Sequence, residues 1–172
     1  GCDPGFVYYP TNATTKEGDL INYKITVKNQ GNVAARDLTL IDVFPFIGDT
    51  RGSQWFANLM GPVTLSDPTA TVYYNSVPNP CYADFIPAVN PAGCSAPVWS
   101  LTPPVNITSV TAIKITRSSQ LPALDSIEFE WPMRVPVGTP PNLIMNNTIY
   151  YQVSRADVAG AAGRLLPAAP NQ

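Results

Sequence analysis

Apolar and polar residues alternate with period two along most of the chain, and no stretch carries the 3.6-residue spacing of an amphipathic helix. The clearest run covers residues 21–28. Ile21, Tyr23, Ile25 and Val27 form its apolar series, and Asn22, Lys24, Thr26 and Lys28 its polar one, as in a strand with one face on a core. A second run, Ile127-Glu128-Phe129-Glu130-Trp131, continues through Met133 and Val135 with Arg134 on the polar side. Pro132 falls on the outward series and predicts an edge strand or a bulge there, because proline cannot donate to a ladder. Ile149, Tyr151 and Val153 alternate with Tyr150 and Gln152, and shorter candidates cover 6–9, 38–44, 71–74, 98–101 and 112–116.

Turn residues separate the runs. Asn29-Gln30-Gly31-Asn32 predicts a hairpin between the first two good strands, with Gly31 supplying a positive φ. Glu17-Gly18-Asp19 sets up the entry to the first strand, and Pro140-Pro141-Asn142 divides two late ones. Short strands with turns between them predict an all-β fold, an antiparallel β-sandwich of immunoglobulin-like type. Residues 46–104 break the pattern. They are rich in proline and Asn-Pro or Asp-Pro steps, and they read as a long insertion between strands, the place where a sandwich would present a binding surface. Residues 1–156 then form the sandwich domain. Residues 157–172, rich in Ala, Gly and Pro, form a last short strand and a linker toward a following domain.

Composition narrows the function. At 172 residues one domain with a substantial core is expected. Charged residues make up 13%, about half the usual share, so the polar surface is built mainly from Thr, Ser, Asn and Gln. A net charge of −2 gives no basic footprint for nucleic acid. Histidine is absent, which removes His-based triads and imidazole metal sites. Neither a GxxxxGK[ST] nor a GxGxxG loop occurs. The expectation is a non-enzyme without a cofactor. No apolar run is long enough to span a bilayer, so no membrane insertion by this segment is expected. The missing initiator Met and signal pattern predict a segment cut from something longer.

Cys81 and Cys94 bracket twelve residues of Pro-containing loop, and a bridge between them is expected. Cys2 is left over; an acylated cysteine or a bridge to a neighbouring domain both fit it. Oxidising, extracellular surroundings follow from that usage. Glu128 and Glu130 share a face two residues apart, a spacing reminiscent of glycosidase carboxylates, but with no supporting motif they read as surface charge. Trp131 belongs to the core series, whereas Trp55, Trp99 and Tyr82 lie in the insertion and are the candidate binding aromatics for a glycan or a host protein. Asp42, Asp49, Asp67 and Asp84 sit in or beside loops where Ca²⁺ would bind, although no D-x-[DN]-x-[DN]-G spacing supports it.

The stretch Gly18-Asp19, then Tyr23-Lys24-Ile25-Thr26-Val27-Lys28-Asn29-Gln30-Gly31-Asn32, then Asp42-Val43-Phe44-Pro45 resembles the domain-of-unknown-function-11 (DUF11) repeat of prokaryotic cell-surface, adhesin-like proteins. The resemblance is close over 17–45, looser over 109–153 and poor between them. It implies an immunoglobulin-like module at the cell surface, joined to neighbouring domains of the same chain and carrying no catalytic residues. In that reading Tyr23, Ile25 and Val27 point inward, Asn29 ties its side chain to the turn beside Gly31, and Asp42 accepts backbone N–H groups of the following loop. Related surface modules sometimes crosslink a Lys to an Asn beside a buried acid. Lys24 or Lys28, Asn146 or Asn147, and Asp42 would supply the parts, although both lysines fall on the polar series. The function expected is a structural or adhesive spacer that presents loops. The alternatives are a ligand-binding module using 46–104 and a subunit of a surface layer or filament.

Overall fold

The computed structural model describes residues 6–7 and 12–169, so Cys2 and two residues of the candidate strand at 6–9 lie outside the described residues. Among the described residues eight strands build two antiparallel sheets: β1 (Leu20–Lys28), β2 (Ala35–Val43), β3 (Asn58–Leu59), β4 (Thr64–Leu65), β5 (Ala70–Asn75), β6 (Ala112–Arg117), β7 (Ser126–Arg134) and β8 (Ile149–Arg155). One sheet places β7 between β1 and the β3 and β4 pieces; the other runs β5-β6-β2-β8. The chain is an all-β sandwich.

Alternation explains which faces meet. Tyr23, Ile25 and Val27 of β1 and Phe129, Trp131 and Met133 of β7 pack against Leu38 and Leu40 of β2 and Ile113 and Ile115 of β6. Tyr23 stacks on Trp131 with ring centroids 6.0 Å apart.

Two local expectations are corrected. Pro132 lies inside an uninterrupted central strand, opposite Asn22 of β1. Its carbonyl accepts the Met60 N–H at 2.9 Å, so its polar edge faces the β3–β4 side, where ladder pairing stops between Leu59 and Thr64. The missing donor therefore meets the irregular stretch of the neighbour rather than a ladder partner. The turn after β1 is no hairpin either. β1 pairs with β7 and β2 with β6 and β8, so residues 29–34 carry the chain from one sheet to the other. Gly31 is not among the glycines with positive φ; its N–H is held by the Asn29 carboxamide oxygen at 3.0 Å. Asn29 donates in turn to the carbonyls of Val33 at 2.8 Å and of Leu121 and Pro122 at 3.1 Å, tying the crossover to a neighbouring loop.

Residues 46–104 divide into two parts. The first supplies β3, β4 and β5 to the two sheets, and the expected strand at 98–101 reduces to one bridge between Ser100 and Tyr74. In the second part, from residue 76 on, Tyr82, Phe85, Val89 and Trp99 cover the outer face of the β5-β6-β2-β8 sheet, whereas Ile107 and Val110 just before β6 pack against the main core. A second apolar cluster forms on that outer face from Ile41, Val43, Ala112, Tyr82 and Phe85. The Cys81–Cys94 disulfide closes this layer. Past β8 a short 3-10 turn, Gly160–Gly163, returns the chain along the β8 edge, where Ala168 exchanges two backbone bonds with Tyr151 at 2.9 Å.

Candidate functional site: a polar seam at the loop-rich end

β2, β5 and β7 finish, and β6 and β8 begin, at the same end of the sandwich, which gathers the loops 44–57, 76–111 and 135–148. Gly48 and Gly52, both at positive φ, fold the first of these tightly around Asp49. The Asp49 carboxylate accepts the N–H groups of Phe46 at 3.4 Å, Arg51 at 3.1 Å and Ser53 at 3.0 Å. It also takes Arg51 Nε at 2.9 Å and pairs with Nη2 at 2.7 Å. Burial alone would raise the Asp49 pKa, but the Ser53 N–H and the Arg51 guanidinium outweigh it and hold it below the usual carboxylate range.

Arg51 spends its remaining donors on the carbonyls of Val43 at 2.7 Å and Phe44 at 3.2 Å, and on the Asn147 carboxamide oxygen at 3.4 Å. Asn147 donates to Asp42 Oδ2 at 2.9 Å. Asn146 exchanges bonds with Ser53 Oγ at 3.1 Å and donates to the Arg51 carbonyl at 2.8 Å. One chain of contacts thus locks the 46–53 loop to the segment before β8.

Asp42 occupies a place other than the one its motif suggests. It is fully buried and takes the Asn147 side chain, while Oδ1 has no hydrogen-bond partner. Asp49 is the residue that caps the following loop. Burial pushes the Asp42 pKa up to about 7, with the Asn147 bond and the Arg51 charge opposing it. The same burial logic raises Tyr23, with the Asp42 charge adding to it.

The crosslinking set comes together in part. Asn147 and Asp42 meet, but Lys24 pairs with Glu128 at 3.0 Å and Glu130 at 3.3 Å on the face of β1 opposite the inward Tyr23. Lys28, exposed, lies opposite Ser126 at the far end of β1. Glu128 and Glu130 are thus the partners of one lysine.

The aromatic candidates separate too. Trp55 packs at the margin of the main core. Trp99 donates its indole N–H to Asp84 at 3.0 Å and lies 4.9 Å from Lys114 Nζ, which also pairs with Asp84 at 2.9 Å; this cluster pins the covering layer to β6. Tyr82 is buried in the second apolar cluster and reaches a cavity. Asp67 pairs with Arg117. With Asp42, Asp49 and Asp84 engaged elsewhere, no group of three His, Cys, Asp or Glu side chains suited to a metal forms among the described residues.

Two side chains missed by sequence reasoning fasten the layer. Asn75 receives the Val98 N–H at 2.9 Å and donates to Val77 and Thr111, and Gln152 exchanges bonds with the Ile86 backbone at 3.1 and 2.7 Å while donating to Leu165 at 2.8 Å. Their outward position reads as solvent-facing until a second layer is known. The signal for Asp49 and Arg51 was the loop Gly48-Asp49-Thr50-Arg51-Gly52, an acid and a base two apart between glycines.

A cavity of about 350 Å³ opens where the Cys81–Cys94 loop meets the 46–51 loop and the start of β8. Tyr82, Tyr150, Asn79, Asn90 and Thr50 contribute to its wall, with Val43 and Thr148. Beside it lies a more apolar cleft of about 400 Å³ that includes Phe44, Phe56 and Val110. The charged groups Asp49 and Arg51 at the seam are engaged by each other, by backbone and by Asn147. No helix of the described residues is long and apolar enough to cross a membrane. In comparison with known proteins, no family model and no curated protein matches the chain.

Proposed function

We propose that this chain is a non-catalytic structural and adhesive module of a secreted or cell-surface protein, an immunoglobulin-like relative of the DUF11 repeats that joins neighbouring domains and presents the loops of one end. The observation that carries the reading is the disulfide-closed layer over one sheet. A bridge of this kind persists in oxidising surroundings and is rare in the cytosol, and a loop of that length gains on the order of 3 kcal/mol from closure. Support also comes from the polar side chains themselves: Asp49, Arg51, Asn75, Lys114 and Gln152 hold loops to strands. The test is surface labelling of the producing cell. Antibodies to the folded domain are expected to stain intact cells or their secreted fraction; staining that appears only after permeabilisation contradicts the reading.

The second reading, a module that binds a ligand through the 46–104 region, is favoured by one observation, the cavity between the stapled loop and the sandwich.

A further inference from the structure

We propose that the cavity beneath the Cys81–Cys94 loop is a binding site for one neutral saccharide unit, held by Tyr82, Tyr150 and Asn90. The inference rests on the non-catalytic reading in one respect: the ligand is bound and not turned over.

Three features select the ligand class. The cavity, at about 350 Å³, is at the lower end of the range of roughly 300–1,000 Å³ for small-molecule sites, which suits one sugar ring better than a folded peptide or a nucleotide. Its charge is cancelled. The Asp49 carboxylate and the Arg51 guanidinium face each other at 2.7 Å, and their remaining bonds go to the protein, so neither offers a free charge to an anion or a metal. What remains in the wall is neutral hydrogen-bonding capacity. Tyr82 is 5% exposed, yet its hydroxyl makes no hydrogen bond within the described residues; the Tyr150 hydroxyl and the Asn90 and Thr50 side chains are equally unbonded there. The Tyr82 hydroxyl is not among the buried orphaned atoms, and Asn90 and Thr50 are exposed, so these groups are open to the cavity and available to a ligand hydroxyl.

The aromatic pair adds the second requirement. The Tyr82 and Tyr150 rings meet at 4.8 Å, tilted by 49°, and make an apolar corner within the polar wall. A pyranose has hydroxyls around its rim and apolar C–H groups on its faces, and it matches a wall that mixes both. Thr148 Oγ1, buried without a partner beside the cavity, marks the same region as short of acceptors and donors. Because residues 79 and 89–92 of the wall belong to the stapled loop or border it, the site depends on the disulfide.

The experiment is ligand-observed NMR and calorimetry of the oxidised protein against methyl pyranosides of glucose, galactose, mannose and N-acetylglucosamine. Glucuronic acid and inorganic phosphate serve as charged probes. Saturable binding of at least one neutral glycoside is expected, with a Kd of order millimolar for so small a contact. Tyr82→Phe, which keeps the ring, and Asn90→Ala, on an exposed loop, are each expected to weaken it about tenfold. Thr26→Ala, on the other sheet, leaves it unchanged, and reduction of the disulfide abolishes it. No binding by any neutral glycoside, preference for the charged probes, or binding indifferent to both wall variants overturns the inference and leaves the structural module intact. Conversion of a glycoside to product overturns the non-catalytic reading itself.

Discussion

Asp42 shows how far a single side chain can depart from its motif. Its place near the end of β2 suggests a loop cap, yet the alternation of β2 turns it inward beside Leu40, and burial keeps it protonated to about pH 7. An acid whose pKa is raised on folding favours the folded state below its unfolded value and loses that advantage as pH rises. Asp42 therefore withdraws stability between about pH 4 and pH 7, up to about 4 kcal/mol, with no further change above. Asp49, held low, acts in the opposite sense: its contribution is present above about pH 4 and is lost as pH falls through its folded value. Urea unfolding of Asp42→Asn against the unchanged protein separates the two. The difference in stability is expected to shift in favour of the variant from pH 4 to pH 7 and then stay constant; a difference that does not vary with pH contradicts a buried, protonated Asp42. Arg51 is the other informative residue. Arg51→Ala leaves Asp49 buried without its counter-charge and is expected to cost about 3–5 kcal/mol in the same assay. Arg51→Lys recovers little, since one ammonium cannot serve Asp49, Asn147 and the carbonyls of Val43 and Phe44 together.

At the scale of elements, Gln152 joins three pieces of chain: β8, the layer at Ile86 and the returning segment at Leu165. Gln152→Ala removes these bonds and is expected to cost about 2–3 kcal/mol, with hydrogen exchange accelerated at the Ile86 and Leu165 amides and unchanged in β1 and β7. Acceleration spread evenly over the molecule would contradict the local role. The strands themselves were legible because alternation is a local signal. Tyr23, Ile25 and Val27 on β1, and Phe129, Trp131 and Met133 on β7, carry it without interruption. Pairing was not legible. Asn29 and Gly31 encode a change of direction, and nothing in a turn says whether the next strand joins the same sheet or the facing one. Pro132 likewise announced an irregularity but not whose, and the neighbouring strand is the one that breaks.

In the whole molecule the feature hidden from sequence reading was the covering layer. Lys114, Gln152 and Asn75 sit on polar positions of their strands, and such positions face water unless a second layer covers them. That cover comes from a Pro-rich segment without periodicity, whose packing depends on contacts between distant residues. The disulfide was legible from spacing; the cavity and the Asp49–Arg51 seam were not, because their parts come from three separate loops. In the proposed role outside a cell, the stapled layer is what protects the module from proteolysis. The most direct test of that protection is digestion by a broad-specificity protease, followed by mass spectrometry, of the oxidised protein against a Cys81→Ser, Cys94→Ser variant. The oxidised chain is expected to survive whole, while the variant is cut between residues 76 and 105 with β1 and β7 still protected. Equal resistance of the two forms, or equal cleavage throughout both, would contradict it.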